Sequence, residues 1–587
     1  EVQYVSNDNF SGFDNFTFRV LDNSSQLSNN VTFQIHVSDP LVPNQWQIIN
    51  SGQNSFSSNP GVMGEDMNML QALEKHLTGK GVVVAIVDEG LEITHEDLAA
   101  NVEPNGSYDF VDGDRNPTKA TNGGDHGTSV AGLTGAVAGN GKGGQGVAPE
   151  VSLKGYNYLM PTSRHSGYEK FIMAHGFDNV TAKSSTAHVF NMSYGAAYND
   201  PQVYAPFGTN YHFGRGTEGP LSLRGGKGAI YVKSAGNGFT SILDDASNEA
   251  NCSRAKKTGI SCQNSNMDSF HNSHPFHIVV GALAANGKKA SYSTAGSANW
   301  ISAPGGEFGV TYPAMITTDQ IGCDRGYNRN AITEHMNCNY TKGFNGTSSA
   351  APNTSGGIAL MLEENDNLTW REIKHILAST ATKVDETIAP VTISITGSDN
   401  YTAEHEWIIN AAGYHFHNWY GFGRIDIDNA TKMARNWNQN LGQFRTCSFK
   451  TSSPNLKIPA NATGIKDNIT ISDQLSIEAV QVLVNVQHPY PGDLGFELTS
   501  PSGTKSILLN ANNGITNNSS ALNGLGLDNM SLISNAFYHE NSNYGTGSWS
   551  LKVVDGSSDV NAGRSASLDN GTLVTWHLRV YGSGTCN

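Results

Sequence analysis

Four apolar runs do most to narrow the folds open to this chain: GVVVAIVDEG, HVFNMSYG, GAIYVKSAGNG and HIVVGALA. Each is short, rich in β-branched and aliphatic residues, and closed by glycine or a polar residue. Such runs belong to strands buried on both faces rather than to strands at a wet sheet surface. HGTSVAGLTGAVAG and SSAAPNTSGGIALMLEEN, which lie among and after them, read as helices. Strands alternating with helices imply an α/β domain, a parallel sheet flanked by helices, over residues 39–446. The carboxyl ends of such strands are where functional groups gather.

At 587 residues the chain is too long for that one core, and two further regions differ in texture. In residues 1–38, DNFTFRV places Phe16, Phe18 and Val20 on one strand face, and VTFQIHV does the same with Val31, Phe33, Ile35 and Val37. With DNSSQLSNN as the turn, this is an antiparallel hairpin, which is not stable alone. It resembles the last strands of cadherin-like or Ig-like repeats, so the chain reads as starting mid-domain. Residues 447–587 are all-β in texture, with alternation in AVQVLVNV and turns at SPSG and NGT, and a sandwich is expected.

Net charge of -16 disfavours nucleic acid or an anionic membrane as partner, and no apolar run is long enough to span a bilayer. Six cysteines in an Asn/Ser/Thr-rich chain suggest three disulfides and an oxidising compartment. Fifteen pairings are possible; proximity favours Cys252–Cys262 and Cys323–Cys338, leaving Cys447–Cys586. No CxxC pair supports zinc.

Four residues stand where chemistry needs them. Asp88 closes the run GVVVAIV, His126 opens a small-residue helix, Asn237 ends SAGNG, and Ser348 precedes a helix containing Pro352. Singly, each has a structural reading as cap or turn residue. Together, in the order Asp, His, Ser, they form a nucleophile, a base and an orienting acid.

VVVAIVDEGLEITHEDL, DHGTSVAG and FNGTSSAAP resemble the three active-site motifs of the subtilisin-like serine peptidases, or subtilases. LMLEENDNLTWREIKHIL and YGFGRIDIDNATKMARNW are similar to the final helices of the kexin/furin branch, and 447–586 resembles its P-domain, a jelly-roll. The resemblance implies a secreted endopeptidase with Asp88, His126 and Ser348 as triad, Asn237 in the oxyanion hole and Ser349 as bystander. It implies that Ser193, Tyr194 and Gly195 pair with the substrate backbone, while Glu89 and Asp268 select basic side chains at P2 and P1. Asn199 and Asp200 are possible further acids. Thr294, in Tyr292-Ser293-Thr294, stands where that branch has an acid, so its second calcium site, under the P1 pocket, is expected to be missing.

GNGKGG formally fits a dinucleotide fingerprint but follows a helix rather than a strand, which excludes that reading. The resemblance makes it a calcium loop instead. Asp39, Asp97 and Asn140 would join carbonyls of Val137, Lys142 and Gly144 around Ca2+. Asp112 and Asp114 are a second candidate cation turn, while His415 and His417 lack a nearby acidic cluster. No folding prodomain fits between the hairpin and DPLVPNQW, so one lies upstream or an external chaperone assists folding. Two other readings remain: a broad degradative protease, and a surface adhesion protein with an inactive catalytic scaffold.

Overall fold

The computed structural model describes residues 12–118, 126–160, 163–195, 222–240, 249–333, 336–395, 400–515, 526–540, 546–556 and 571–587. The chain first makes an antiparallel hairpin of β1 (Gly12–Phe18) and β2 (Val31–Val37), with Phe16 opposite Phe33. Val20, expected on the first strand, lies beyond its end. Its N–H and C=O bond to Ser28 in the connector instead of to β2.

Seven strands then form one wholly parallel sheet. They are β3 (Val83–Asp88), β4 (Tyr108–Asp109), β5 (Ser152–Asn157), β6 (Val189–Met192), β7 (Ile230–Ser234), β8 (His277–Leu283) and β9 (Ile301–Pro304). The spatial order is β4-β5-β3-β6-β7-β8-β9. The strand order turns at β3, which lies between β5 and β6, and the carboxyl ends at such a turning point are where ligands bind in open α/β sheets. One face packs Val84, Ile86, Ile230 and Val232 against helices; the other packs Ala85, Val87, Phe190 and Tyr231. Burial on both faces explains the lack of strict alternation in the sequence.

Two buried helices pack against each other and against the sheet, His126–Gly135 and Thr347–Glu364. The first stops short of the expected Gly139. Asp39 draws the N–H groups of Gly139 and Gly141 to its carboxylate, at 2.7 and 2.8 Å, and turns the chain out of helical geometry.

The C-terminal residues form two antiparallel sheets. One contains Gln474–Gln487, Leu527–Ser534 and Gly571–Thr585; the other contains Ile465–Ile471, Leu494–Thr499, Lys505–Leu509 and Gly547–Asp555. Phe496, Trp549 and Trp576 fill the space between them, the sandwich expected from the sequence. The disulfides are Cys252–Cys262, Cys323–Cys338 and Cys447–Cys586.

Candidate active site

Asp88 ends β3 and is fully buried. Its Oδ1 accepts the Glu89 N–H at 2.7 Å, and its two oxygens lie 2.9 and 3.0 Å from His126 Nδ1. That approach depends on the residue after the histidine. A Cβ at Gly127 would sit 1.8 Å from the Gly90 carbonyl oxygen, so only glycine lets the helix start so close to β3. The His126 ring is held edge-on by Phe344, with centroids 5.2 Å apart, and stays partly open to solvent.

Ser348 sits in the first turn of Thr347–Glu364, entered through Gly346 at φ 103°. Pro352 has no N–H, so the Ser348 carbonyl lacks its ordinary helical partner four residues on. Ser193, just past β6, fills the gap: its Oγ donates to Ser348 O at 2.9 Å, and Ser348 Oγ donates to Ser193 O at 3.1 Å. The proline thus opens a carbonyl through which the nucleophile turn is tied to the segment Ser193-Tyr194-Gly195. Ser349 turns inward and is fully buried.

Asn237 follows β7. Its Oδ1 accepts from both the Thr347 N–H and the Thr347 hydroxyl at 2.9 Å. An acceptor fixed on that side turns the Nδ2 donors toward Gly346 and the open helix start, where Ser348 lies. Tyr292 supports the same turn by accepting the Gly346 N–H at 2.7 Å. The assembly offers an oxygen nucleophile, an imidazole backed by a buried carboxylate, and amide donors beside a helix N-terminus. That is the equipment of acyl transfer.

Beside this centre, Asp268 is buried beneath Gly195, where an added Cβ would come 2.8 Å from Asp268 Oδ2. Asp268 Oδ1 lies 2.8 Å from His271 Nδ1, and its Oδ2 lies 3.8 Å from Lys233 Nζ. Lys233 went unnoticed in the sequence, although a lysine inside an apolar parallel-strand run is itself a signal. Tyr194 accepts or donates at 2.8 Å to His175 Nε2 and packs edge-on against His271. Glu89 continues from β3 and bridges to Asn157. Thr294 Oγ1 accepts the Gly238 N–H at 2.9 Å, a structural bond in the turn that carries Asn237. Asn199 and Asp200 lie outside the described residues.

The loop candidates separate clearly. Asp39 and Asp97 are both buried, and Asp97 Oδ2 has no hydrogen-bond partner. Burial, reinforced by the neighbouring Asp39 carboxylate, pushes the Asp97 carboxyl up to about 8. Asn140 Nδ2 donates to Asp97 Oδ1 at 2.7 Å, and the Lys142 N–H donates to Asn140 Oδ1 at 2.9 Å. The Val137 N–H bonds the Asp97 carbonyl, which brings Val137–Gly144 around the two acids. Two buried carboxylates with an orphaned oxygen fit a hard cation; Asn140 would turn its amide over to offer oxygen. Asp112 and Asp114 are exposed, and Asp114 Oδ1 accepts the Asn116 N–H in an ordinary turn. His417 Nδ1 accepts the Trp419 N–H at 3.0 Å, a turn-forming role.

Comparison with known proteins decides the family. Residues 79–423 match the model of the subtilase family, and residues 477–580 match the proprotein convertase P-domain. The chain belongs to the subtilase family. This subtilase is 36% identical to the Aeromonas extracellular serine protease of Aeromonas sobria, over 93% of the chain and 91% of that protein. It is 29% identical to neuroendocrine convertase 2 of Bos taurus, over 81% of the chain and 66% of that protein. The crystal structure of the serine protease of Aeromonas sobria superposes with a TM-score of 0.82 at 34% identity, covering 93% of this chain and 95% of that one. A second solved structure, at TM-score 0.81, 34% identity and the same coverage, is that protease in complex with the chaperone ORF2. The subtilase is therefore a serine endopeptidase with a P-domain, and the expected fold class holds for both.

Proposed function

We propose that Ser348, His126 and Asp88 form the triad of a secreted endopeptidase. The observation that carries this reading is the buried Asp88 carboxylate gripping His126 Nδ1 from two oxygens. That bond fixes the imidazole with Nε2 as its basic nitrogen and stabilises the cation formed when it takes the Ser348 proton. Ser348 Oγ first releases the Ser193 carbonyl, then attacks the scissile carbonyl and forms the acyl-enzyme. Asn237 Nδ2 and the Ser348 N–H hold the oxyanion, and water completes hydrolysis. The peptide backbone lies along Ser193, Tyr194 and Gly195 as an added strand. Asp268 forms the base of the P1 pocket and Glu89 faces P2, which favours substrates basic at these positions.

We divide the chain into residues 1–38, 39–446 and 447–587. Asp39, Asp97 and Asn140, with carbonyls of Val137, Lys142 and Gly144, would hold Ca2+, which would supply positive charge to two buried acids and rigidify the loop. Three disulfides and the named extracellular location of the Aeromonas relative support secretion, and that relative's chaperone complex supports folding assisted in trans. The test is turnover of matched fluorogenic peptides carrying Arg, Lys, Leu or Phe at P1. Ser348→Ala is expected to remove activity by about 10⁶-fold, the scale known for a subtilisin nucleophile, and to abolish labelling by a serine-directed phosphonate. Asn237→Ala should lower kcat by about 10²–10³-fold. Full labelling of Ser348→Ala would overturn the assignment.

A further inference from the structure

Lys233 occupies a position where a lysine is expensive. It lies in the interior strand β7, its side chain is 1% exposed, and its neighbours on that face include Tyr231 and Tyr194. Burying an ammonium costs several kcal/mol unless charge and hydrogen bonds compensate it. Compensation comes from Asp268 Oδ2 at 3.8 Å and from the Ser234 carbonyl at 2.7 Å. Lys233 Nζ also lies over the Tyr194 ring, 5.8 Å from its centroid. A Cβ built on Gly195 would lie 3.0 Å from Lys233 Nζ and 2.8 Å from Asp268 Oδ2, so cation and carboxylate sit side by side under the same substrate-facing glycine.

This geometry changes what the pocket can select. A lone buried carboxylate rewards a guanidinium or ammonium and is left unpaired by an apolar side chain, which gives sharp discrimination. A carboxylate that already owns a cation gives less to an incoming one, and it is not orphaned when P1 is apolar. We propose that Lys233 is a specificity residue: its ammonium is a built-in counter-cation for Asp268, competes with a basic P1 side chain and so broadens the substrates cut. The inference rests on reading Asp268 as the base of the P1 pocket.

Burial holds the Lys233 ammonium down to about 8. Below that pH the cation offsets Asp268; above it the amine is neutral and Asp268 stands ready for Arg. Among the described residues, the other titratable groups around Lys233 include Asp268 itself, His271 on the short helix after it, His277 at the start of β8, Tyr231 two residues back on β7, and Tyr194 on the proposed substrate segment. The triad titrates too, but it affects all P1 residues alike and cancels in a ratio.

The experiment measures the Arg-to-Leu ratio of kcat/KM on peptides differing only at P1, using the full chain. Lys233→Met is expected to raise the ratio about ten-fold or more, and Lys233→Arg to leave it low. In the unmodified enzyme the ratio should climb between about pH 7 and about pH 9, where P1 Arg stays charged. The climb should persist in His271→Gln and vanish in Lys233→Arg. Asp268→Asn separates the two readings. If Asp268→Asn lowers the ratio while Lys233→Met leaves it within about two-fold, the pocket reading stands and the Lys233 proposal falls. If Asp268→Asn changes the ratio in neither background, the pocket reading falls and the proposal falls with it. Should Lys233→Met not fold, the pH series decides, and a flat ratio overturns the proposal.

Discussion

The catalytic sheet has a β unit on each side of it in sequence, and the two are tied to it by different physics. On the C-terminal side, the Asn266 side chain reaches between regions: Nδ2 donates to Leu508 O at 2.9 Å and Ile533 O at 3.1 Å, while Oδ1 accepts the Ile533 N–H at 2.9 Å. Met267, the next residue, is counted within the sandwich's own core, and Ala298 packs with Ala479, Ile533 and Tyr581. Arg371 bonds Glu478 and the carbonyls of Leu441 and Gly442. On the N-terminal side, Phe18, Val20, Leu21, Leu27 and Val31 of the hairpin are 40–58% exposed. The hydrogen bonds seen for residues 19–30 close on the hairpin itself. Buried carbonyls that only another region's amides satisfy turn two units into one cooperative structure. A flank whose described hydrogen bonds close on itself, as those of residues 19–30 do, is expected to open at little cost.

The largest break follows from removing the tied flank. A chain ending near Asn440 would expose the Met267 and Ala298 surfaces and take away the Leu508 and Ile533 partners of Asn266, the Ile533 partner of the Ser297 hydroxyl and the Asn510 partner of the Ser261 carbonyl. It is expected to yield insoluble or inactive protein on expression; soluble, active protein of that length would sink the idea that the two regions fold as one. A finer break is Asn266→Ala, which takes the partner from the Leu508 carbonyl and the Ile533 N–H, while Ser297 Oγ keeps its bond to the Ile533 carbonyl, at a cost of about 3 kcal/mol. Thermal unfolding should show this as one lowered cooperative transition, whereas two separated transitions would contradict the comparison. Asn266 stands two residues before Asp268, so the same variant should also blunt P1 discrimination. On the proposed reading, the sandwich thereby supports the base of the P1 pocket from outside the proposed triad.

Much of the candidate site, as proposed above, could be named from the sequence because its parts are local. Asp88 announces itself as the acid ending an apolar run, and Ser348 as the serine between a glycine entry and a proline that opens its own carbonyl. The parallel sheet followed from runs buried on both faces, which need no partner to be recognised. What was not legible is what depends on pairing across the chain. Asn266 meets Ile533 across 267 residues, and no periodicity encodes such a contact. Lys233 could have been flagged as a cation in an apolar strand, but its relation to Asp268 exists only after β7 and the loop at 264–272 pack together. The misplaced Val20 is the opposite case: a local pattern continued past the strand because the connector's hydrogen bonds were invisible in it.

The next effect concerns the junction between hairpin and sheet. Among the described residues, a strong tie on that side is Asp39, whose carboxylate holds the N–H groups of Gly139 and Gly141. The Leu41 N–H adds a bond to Gly143 O at 2.7 Å. If Ca2+ sits between Asp39 and Asp97, free calcium at about a hundred times Kd should stabilise the chain by about 2.7 kcal/mol. A chelator should remove that gain, and Asp97→Asn should abolish the response. Hydrogen exchange should then quicken in residues 39–48 and 137–144 and stay unchanged in the sandwich. A calcium-insensitive melting temperature would refute the site.

The smallest expected effect sharpens the comparison most. Removing residues 1–37, ahead of Asp39, takes away a hairpin whose residues 17–32 are exposed and whose described hydrogen bonds at residues 19–30 close on the hairpin itself. Exposed elements outside any shared core change stability by about 0.5 kcal/mol or less when altered. The shortened chain should therefore melt within about a degree of the full chain and retain kcat/KM within about two-fold. Urea titration offers a second readout, because a flank that unfolds independently should leave the slope of the main transition nearly unaltered. If removal instead lowers the main transition by several degrees, the hairpin is coupled to the sheet through contacts beyond those of residues 19–30, and the contrast between the flanks becomes one of degree. Equal stability with slower recovery from denaturant would confine its contribution to folding, leaving the native enzyme to the sheet, the sandwich and the loop that joins Asp39 to Asp97.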